Sequence, residues 1–457
     1  MSNPDSITVT RTARDSGERL ASLPPLAWSP GPASPTREPA LSLSIDTGRT
    51  FQTIEGFGGA FTEAAAVTLE KHPPAKQAEI LRAYFDPVAG HGYNLCRTHI
   101  NSCDFALGNY ASADRPDDFE LKHFNLGRDH RHLLPMIRAA QSLAGPALKL
   151  IASPWSPPAW MKTTGRMNEG GKLRPECRDS WARHYCRYIA EMAKAGFPVW
   201  GLTIQNEPAS AQRWDSCEYT AEEERDFVRD HLGPALHAAG LAEVKVIVWD
   251  HNRNLLYERV QPIYDDPAAS RYVWGAGIHW YSGDNFDNVQ AVHDRWPEKA
   301  VLFTEGCQEG GPHPGVWGLG ERYARSIIAD LNRWTVGWID WNLLLDDTGG
   351  PNHVGNLCSA PVLITPATGE VLYQTSYYYI GHFARFIRRG AKRVICASTR
   401  DEVETTAFQN PDGSLAVIVL NRTELSLPLT LRHAGRSALG HCPPRSITTY
   451  CWPALAP

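Results

Sequence analysis

Short apolar runs alternate with longer stretches of mixed apolar and polar residues from about residue 50 to about residue 350. Eight of the apolar runs have the length of buried strands. They occupy residues 54–61, 94–100, 148–155, 201–208, 244–252, 275–281, 301–306 and 337–344. Regular alternation of strands with helices is typical of an α/β protein with a parallel sheet, and eight such units predict a (β/α)8 TIM barrel.

The stretches between these runs have apolar residues at helical intervals, as in residues 131–144, 179–196 and 320–334. Thr220 and Glu223 stand three positions apart ahead of another such stretch, which is the spacing of a capping box at a helix start. An open doubly wound sheet is the structural alternative. Such a sheet usually carries a glycine-rich phosphate loop after its first strand, and the sequence GFGGAF has the wrong glycine spacing for that loop.

The pattern changes after residue 381, where short alternating runs are separated by turn signals such as Pro411-Asp412-Gly413. This pattern predicts an all-β segment of about 75 residues. The segment has too few strands to close well alone, so we expect strands near the N-terminus to complete a β-sandwich. The predicted domains are residues 1–50, which contribute strands to the sandwich, residues 51–375, which form the barrel, and residues 376–457, which form the rest of the sandwich.

Composition and charge narrow the classes of function. A net charge of −5 predicts no basic surface for nucleic acid, and no apolar run is long enough to span a membrane. The N-terminal residues are polar and show no signal peptide, which predicts a cytoplasmic protein. The ten cysteines contain no C-x-x-C pair and are expected to be reduced. None of these features determines the oligomeric state.

Two glutamates stand at the ends of predicted strands. Glu207, in the triplet Asn206-Glu207-Pro208, ends the fourth strand, and Glu305 ends the seventh. Either glutamate alone is typical of a surface ion pair, but core packing does not require a carboxylate at two strand ends. The carboxyl ends of barrel strands carry active sites, and two facing carboxylates are the groups that cleave glycosidic bonds. Glu309 lies past the strand end in a glycine-rich loop, and we expect it to be solvated.

The chain resembles glycoside hydrolase family 30, close to its glucosylceramidase (β-glucocerebrosidase) branch. The resemblance extends along nearly the whole chain, through motifs that include GFGGAFTEA, YNLCRTHINSCDF, LIASPWSPPAWMK, TIQNEPAS, IHWYS, LFTEGC, DWNLLLDDTGGPNHVGN and YYYIGHFARFI. It implies a barrel joined to a β-sandwich built from both chain termini, and a double displacement that retains the anomeric configuration.

The resemblance also implies roles for individual residues. Glu207 matches the family's general acid/base, Glu305 its nucleophile and Asn206 the residue that holds the sugar 2-hydroxyl. Arg97 matches a residue that supports the nucleophile, and Asp104 matches one that binds sugar hydroxyls. The positions that match the pocket lining are Trp155, His279, Tyr281, Trp341 and Asn356.

Several of these residues can also be explained by a purely structural role. Arg97 is also typical of a structural ion pair inside a barrel, and Asp104 of a turn cap. The tryptophans at 155 and 341 are typical of core packing, and the histidine at 279 of a buried core residue. The loop after the acid/base is shorter than in the mammalian lysosomal branch and contains Trp214 where that branch is more apolar. Because this loop borders the leaving-group side, Trp214 is a further candidate for substrate contact.

The sequence therefore predicts a glycoside hydrolase without cofactor or metal, and most directly a retaining exo-β-glucosidase of the glucosylceramidase type. An endo-β-1,6-glucanase and a relative that cleaves β-xylosides or β-fucosides are the alternatives. A catalytically silent carbohydrate-binding protein does not account for both carboxylates and their neighbours. A metal-dependent hydrolase would need a histidine cluster, and the local cluster at residues 128–132 opens a predicted helix and is expected to be solvated.

Overall fold

The computed structural model describes residues 6–30 and 41–454 of the chain. These residues form two compact units. One unit comprises the described residues up to Phe57, Gly315–Gly337 and the described residues from Tyr373 onward, and the other comprises Gly58–Pro314 and Trp338–Leu372. Residues 1–5 and 31–40 of the predicted N-terminal segment lie outside the described residues. The domain boundaries at residues 50 and 375 stay a prediction.

The parallel strands close into an eight-stranded barrel in which each strand pairs with its neighbours in sequence, so the predicted fold class is confirmed. In chain order the barrel strands are Gly56–Phe61, Leu95–Ile100, Lys149–Pro154, Val199–Thr203, Lys245–Asn252, Val273–His279, Ala300–Glu305 and Thr335–Asn342. Most of their residues are buried, which explains why they read as continuous apolar runs. The fourth strand ends at Thr203, earlier than predicted, because the chain then leaves the sheet for a loop.

Helices follow the barrel strands as the apolar spacing predicts. They are Glu63–Glu70, Pro74–Phe85, Leu133–Ala144, Arg178–Lys194, Ala221–Phe227, Gly233–Ala238, Leu256–Tyr264, Pro267–Ser270, Phe286–Arg295, Trp317–Leu331 and Thr375–Ala384. The capping box is present, because the Thr220 side chain accepts from the Glu223 backbone while the Glu223 side chain accepts from the Thr220 backbone. Among the described residues, no helix combines the length and hydropathy needed to cross a membrane.

The sandwich unit contains strands from both ends of the chain. Its ten strands are Ser6–Ala13, Ala21–Ala27, Ser29–Pro30, Leu41–Thr53, Lys392–Ser398, Val403–Gln409, Leu415–Asn421, Leu427–His433, Arg436–Cys442 and Ser446–Trp452. The first strand pairs antiparallel with the last, and the fourth pairs with Lys392–Ser398. The apolar core draws on both groups of strands, so the N-terminal strands complete the sandwich as predicted. A separate small sheet has three strands, which are Leu344–Asp346, Val362–Ile364 and Val371–Tyr373.

Candidate active site

A cavity of about 240 Å³ opens at the carboxyl ends of the barrel strands. Nine of the residues proposed from the sequence line it, namely Asp104, Trp155, Asn206, Glu207, Trp214, Tyr281, Glu305, Trp341 and Asn356. The other two, Arg97 and His279, are fully buried behind its wall and reach it through the two glutamates. The structure therefore brings all of the proposed residues to one place.

Glu207 lies four residues beyond the end of the fourth strand, in the left-handed region with a φ of 48°. Its backbone N–H donates to the Asp250 carbonyl at 3.0 Å, which fixes this unusual conformation. One carboxylate oxygen lies 3.3 Å from His279 Nδ1, and the other accepts from Gln212 Nε2 at 3.3 Å. The Glu207 side chain is thus held from both sides and faces the cavity.

Glu305 is the last residue of the seventh strand, as the sequence indicated. Arg97 Nη1 donates to Glu305 Oε2 at 2.7 Å, and the Tyr281 hydroxyl donates to Oε1 at 3.0 Å. One oxygen of Glu305, one oxygen of Glu207 and a ring nitrogen of His279 all lie within 4.8 Å of one another. The two carboxylates therefore face each other across a gap that one sugar ring can bridge.

Arg97 connects several parts of the site. Besides Glu305, its guanidinium donates to Asn206 Oδ1 at 2.9 Å and to Asp250 Oδ2 at 2.7 Å. The guanidinium also lies 4.7 Å from the centre of the Trp155 ring, which stacks on the Trp341 ring. The structural ion pair and the contact with the proposed nucleophile are both present, so the two interpretations of Arg97 from the sequence are compatible.

The two facing carboxyls have pKa values displaced in opposite directions. Burial raises the pKa of Glu305, and the charges of Glu207 and Asp250 add to the rise against the opposing effects of His279 and Arg97. Burial also acts on Glu207, but the hydrogen bond from His279 and the charges of His251 and His279 outweigh it and lower the pKa of Glu207. The His279 side chain is buried, yet the surrounding carboxylates raise its pKa to about 9.

The donors of Glu207, Glu305 and His279 are close enough to hold a metal ion. Both ring nitrogens of His279 already face carboxylates, with Nδ1 3.3 Å from Glu207 Oε1 and Nε2 3.1 Å from Asp250 Oδ1. Arg97 already compensates Glu305 with a positive charge. The arrangement fits an internal ion-pair network better than a cation site.

Asp104 lies on the cavity wall and is held by two amides. Asn356 Nδ2 donates to its Oδ2 at 3.0 Å, and Asn352 Nδ2 donates to the same oxygen at 3.2 Å. Burial raises the pKa of Asp104 to about 7, with Glu305 and Asp215 adding to the rise. Among the described residues no amide side chain donates to the other oxygen, Oδ1, so Asp104 can accept a hydrogen bond from a sugar hydroxyl there.

Several residues at the site were missed by the sequence reasoning. Gln212, His251 and Asn252 line the cavity, and Asp250 lies beneath it. Asp250 carried a usable signal, because it is a carboxylate that directly follows the apolar residues 246–249 of its strand. Gln212 carried none, since nothing in a loop sequence shows which side chain will turn back toward the strand end. Glu309 borders the cavity mouth and is exposed, as expected.

The cluster at residues 128–132 lies immediately before the helix Leu133–Ala144 and is largely solvated, except for the buried Asp129. It contributes no residue to the cavity lining.

Comparisons with known proteins agree with this geometry. The family model for the glycosyl hydrolase family 30 TIM-barrel domain matches residues 54–387, and the model for the family 30 β-sandwich domain matches residues 390–450. Lysosomal acid glucosylceramidase of Mus musculus is 35% identical over 432 residues, which cover 90% of this chain and 83% of that protein.

Two solved structures are similar along almost the whole chain. SrfJ from Salmonella typhimurium is 34% identical with a TM-score of 0.94, covering 98% of this chain and all of that one. The endo-β1,6-glucanase BT3312 is 29% identical with a TM-score of 0.89, at the same coverage of both chains.

Proposed function

The chain belongs to glycosyl hydrolase family 30, and from this membership we propose that it is a retaining exo-β-glucosidase of the glucosylceramidase type. In this proposal Glu305 is the nucleophile, Glu207 is the general acid and base, and no cofactor takes part. The substrate is a β-glucoside whose glucose ring lies in the cavity between the two carboxylates.

The proposal rests above all on the proximity of the two carboxylates, which have oxygens within 4.8 Å of each other. Retaining glycosidases place their carboxyl groups about 5–5.5 Å apart, whereas inverting enzymes leave about 6.5–9.5 Å for a water molecule. The short gap supports direct attack by one carboxylate on the anomeric carbon. An inverting reaction would need a wider gap, with space for the attacking water molecule.

The reaction then has two steps. Glu305 attacks the anomeric carbon, and Glu207 gives its proton to the departing oxygen, so that a covalent glucosyl-enzyme forms and the alcohol leaves. In the second step Glu207 takes a proton from water, and the water oxygen displaces Glu305 from the anomeric carbon. Arg97 and Tyr281, which both donate to Glu305, would stabilise the carboxylate as it leaves.

The first step requires Glu207 to be protonated and Glu305 to be ionised. Without substrate the pKa shifts favour the opposite distribution, because the pKa of Glu207 is lowered and that of Glu305 is raised. The two carboxyls titrate as a coupled pair, so a small change of potential can move the proton between them. Positive charge that develops at the anomeric carbon stabilises ionised Glu305 and thereby favours the proton on Glu207. His279 Nδ1 lies 3.3 Å from Glu207 Oε1 and can also supply the proton that Glu207 needs.

The sugar-binding residues follow from the same placement. Asn206 stands beside Glu207 with its side-chain oxygen bound to Arg97, which leaves its amide group to donate to the 2-hydroxyl. Asp104 accepts from hydroxyls on the opposite side of the ring. The Trp155 and Trp341 rings, which also line the cavity, supply flat apolar faces for the sugar.

An endo-acting β-1,6-glucanase is the second candidate, because BT3312, which carries that name, has the same fold along nearly the full chain. The half-buried Trp214 lines the cavity in the loop that follows Glu207, where a further sugar of a glucan would lie. Product length distinguishes the two candidates. Release of glucose alone from a β-1,6-glucan supports exo action, and release of longer oligosaccharides supports the glucanase.

The proposal is tested with aryl β-glycosides that differ only in the sugar, followed by proton NMR of the first product. We expect the β-glucoside to react fastest and to release β-glucose before mutarotation. Faster cleavage of the xyloside or fucoside would assign one of the family alternatives. Initial release of α-glucose would contradict retention and with it the role of Glu305.

A further inference from the structure

A third carboxylate, Asp250, lies beneath the two that face the cavity. Its side chain is fully buried in the fifth barrel strand. Oδ2 accepts from Arg97 Nη2 at 2.7 Å, while Oδ1 lies 3.1 Å from His279 Nε2 and accepts from the Thr304 hydroxyl at 2.6 Å. Asp250 therefore touches the two cationic groups that contact the facing glutamates.

Asp250 is connected to both glutamates by two arms, where an arm means its contact with Arg97 or its contact with His279. Through Arg97 it reaches Glu305, and through His279 it reaches Glu207. A third link runs through the backbone, because the Asp250 carbonyl accepts from the Glu207 N–H at 3.0 Å. No other described residue has side-chain contacts with both Arg97 and His279 among the hydrogen bonds and ion pairs of the site.

Two adjacent irregularities of the barrel place Asp250 in this position. The register between the fifth and sixth strands shifts after Gly277, so that Trp249 and His251 have partners and Asp250 is the extra residue. The register between the sixth and seventh strands shifts in the same way at Thr304. Such bulges turn side chains out of the normal alternation, and they occur frequently next to active sites.

The backbone around Asp250 is strained as well. Trp249 and Asp250 have φ values of 69° and 49°, in a region that residues with a Cβ seldom occupy. Gly277 lies against the bulge, where a Cβ would come within 2.8 Å of Thr304 Oγ1 and 3.1 Å of Asp250 Cα. Strain of this kind persists only where surrounding structure enforces it, and it is concentrated at functional sites.

We infer that Asp250 is the positioning residue of both catalytic glutamates, which holds Arg97 against the nucleophile and His279 against the acid/base. This inference rests on the proposed function of Glu207 and Glu305. Because one carboxylate serves both arms, its loss would disturb both steps of the double displacement.

Asparagine cannot replace the carboxylate. Both oxygens of Asp250 receive hydrogen bonds from cationic donors, whereas an asparagine has one oxygen and one NH₂ group. Whichever way the amide turns, its NH₂ would face either the guanidinium or the protonated imidazole. D250N should therefore lose the contact with either Arg97 or His279, although the side chain keeps its size.

The first test compares D250N with the wild type on an aryl β-glucoside. We expect kcat/KM to fall about a hundredfold with a smaller change in KM, as for other small displacements of catalytic groups. D129N is the matched control, because Asp129 is also a buried aspartate of the barrel unit and its partner is Tyr110, away from the cavity. Unchanged kcat/KM in D250N would overturn the inference, as would an equal loss in D129N.

A pH profile separates positioning from a general effect on folding. The charged groups around Asp250 are Arg97, His279, Glu207 and Glu305, with His251 beside it and Glu224 on the helix Ala221–Phe227. Removing the negative charge lowers the pKa of every neighbour, so the basic limb of kcat/KM should move to lower pH in D250N. A reduced rate with an unmoved profile would show that Asp250 is merely structural.

An NMR titration of the His279 ring gives a readout that needs no turnover. The pKa of His279 should fall from its raised value in D250N and stay unchanged in D129N. This result would support the positioning role even if the panel of glycosides assigned a sugar other than glucose. An unchanged His279 titration in D250N would contradict it whatever the substrate.

Gly277→Ala disturbs the bulge while it keeps the aspartate. Its Cβ must displace Thr304 or the Asp250 backbone, so we expect kcat/KM to fall at least about tenfold, in the same direction as D250N. Gly318→Ala is the control, because a Cβ there meets no atom within 4 Å. Wild-type activity in G277A would show that the position of the bulge does not matter.

Discussion

The mouth of the barrel buries charged side chains, whereas the core of the sandwich buries apolar ones. Around the cavity the chain buries Arg97, Asp250, His279 and both glutamates, all at 7% exposure or less. The core of the sandwich is a cluster of aliphatic and aromatic side chains. The buried His382 of the sandwich unit lies 2.9 Å from the Thr449 hydroxyl and 3.0 Å from the Thr12 hydroxyl, which are neutral groups.

The difference separates residues that hold the fold from residues that perform chemistry. Burying apolar side chains stabilises the folded state directly, whereas buried ion pairs return little of the cost of removing charges from water. A cluster of three carboxylates and two cationic side chains is therefore a poor source of stability. Mutations in the two regions should therefore separate activity from stability.

The largest expected effect is that of E305Q. It should lower kcat by at least about 10⁴-fold, because no covalent intermediate can form without the nucleophile. The free energy of unfolding should stay within about 1 kcal/mol of the wild type, since Arg97 keeps Asp250 and Asn206 as partners and repulsion from Glu207 is removed. Kinetics and calorimetry measure the two quantities. Wild-type turnover in E305Q would end the assignment of the nucleophile.

E207Q should have a smaller effect that depends on the leaving group. With an alkyl β-glucoside kcat/KM should fall about 10²–10⁴-fold, because the departing oxygen needs a proton. With a dinitrophenyl β-glucoside, whose leaving group departs unprotonated, kcat/KM should fall far less. Glu120→Gln, at an exposed glutamate, is the control. An equal loss on both substrates would argue against acid catalysis by Glu207.

In the sandwich, L431A should lower stability and leave activity unchanged, the reverse of the glutamate variants. Leu431 is fully buried in the apolar core, and its truncation should cost about 2–5 kcal/mol of unfolding free energy. Leu439, 71% exposed in the neighbouring strand, provides a control in L439A, which should cost almost nothing. We expect kcat at temperatures well below the transition to stay close to the wild type. A large loss of kcat in L431A without loss of stability would break the contrast between the two regions.

The smallest expected effect is a dependence of stability on pH that comes from His279. Its folded pKa of about 9 lies above the ordinary value, so its stabilisation is fully present below about pH 6.5 and is lost as the pH rises through about 9. The free energy of unfolding that is lost in this way amounts to about 3 kcal/mol. Unfolding free energies measured at both pH values should therefore converge for the wild type and H279Q as the pH rises. Parallel curves would show that His279 is neutral in the folded protein.

The sequence by itself determined the barrel and the meeting of the two glutamates. Eight apolar runs alternating with helices have few other solutions, and parallel strands in a barrel place all their carboxyl ends at one rim. Glu207 follows the fourth strand and Glu305 ends the seventh, so both were expected at the same opening. The N-terminal strands of the sandwich followed from the same kind of pattern.

Only the tertiary structure decided how those glutamates are held. The sequence placed Asp250 in a strand, but the register shift that turns it toward Arg97 and His279 leaves no trace in hydrophobic periodicity. The return of Gln212 to Glu207 likewise depends on the path of a loop. Periodicity reports which face of an element is buried, whereas bulges, left-handed residues and loop paths depend on contacts between residues far apart in the chain.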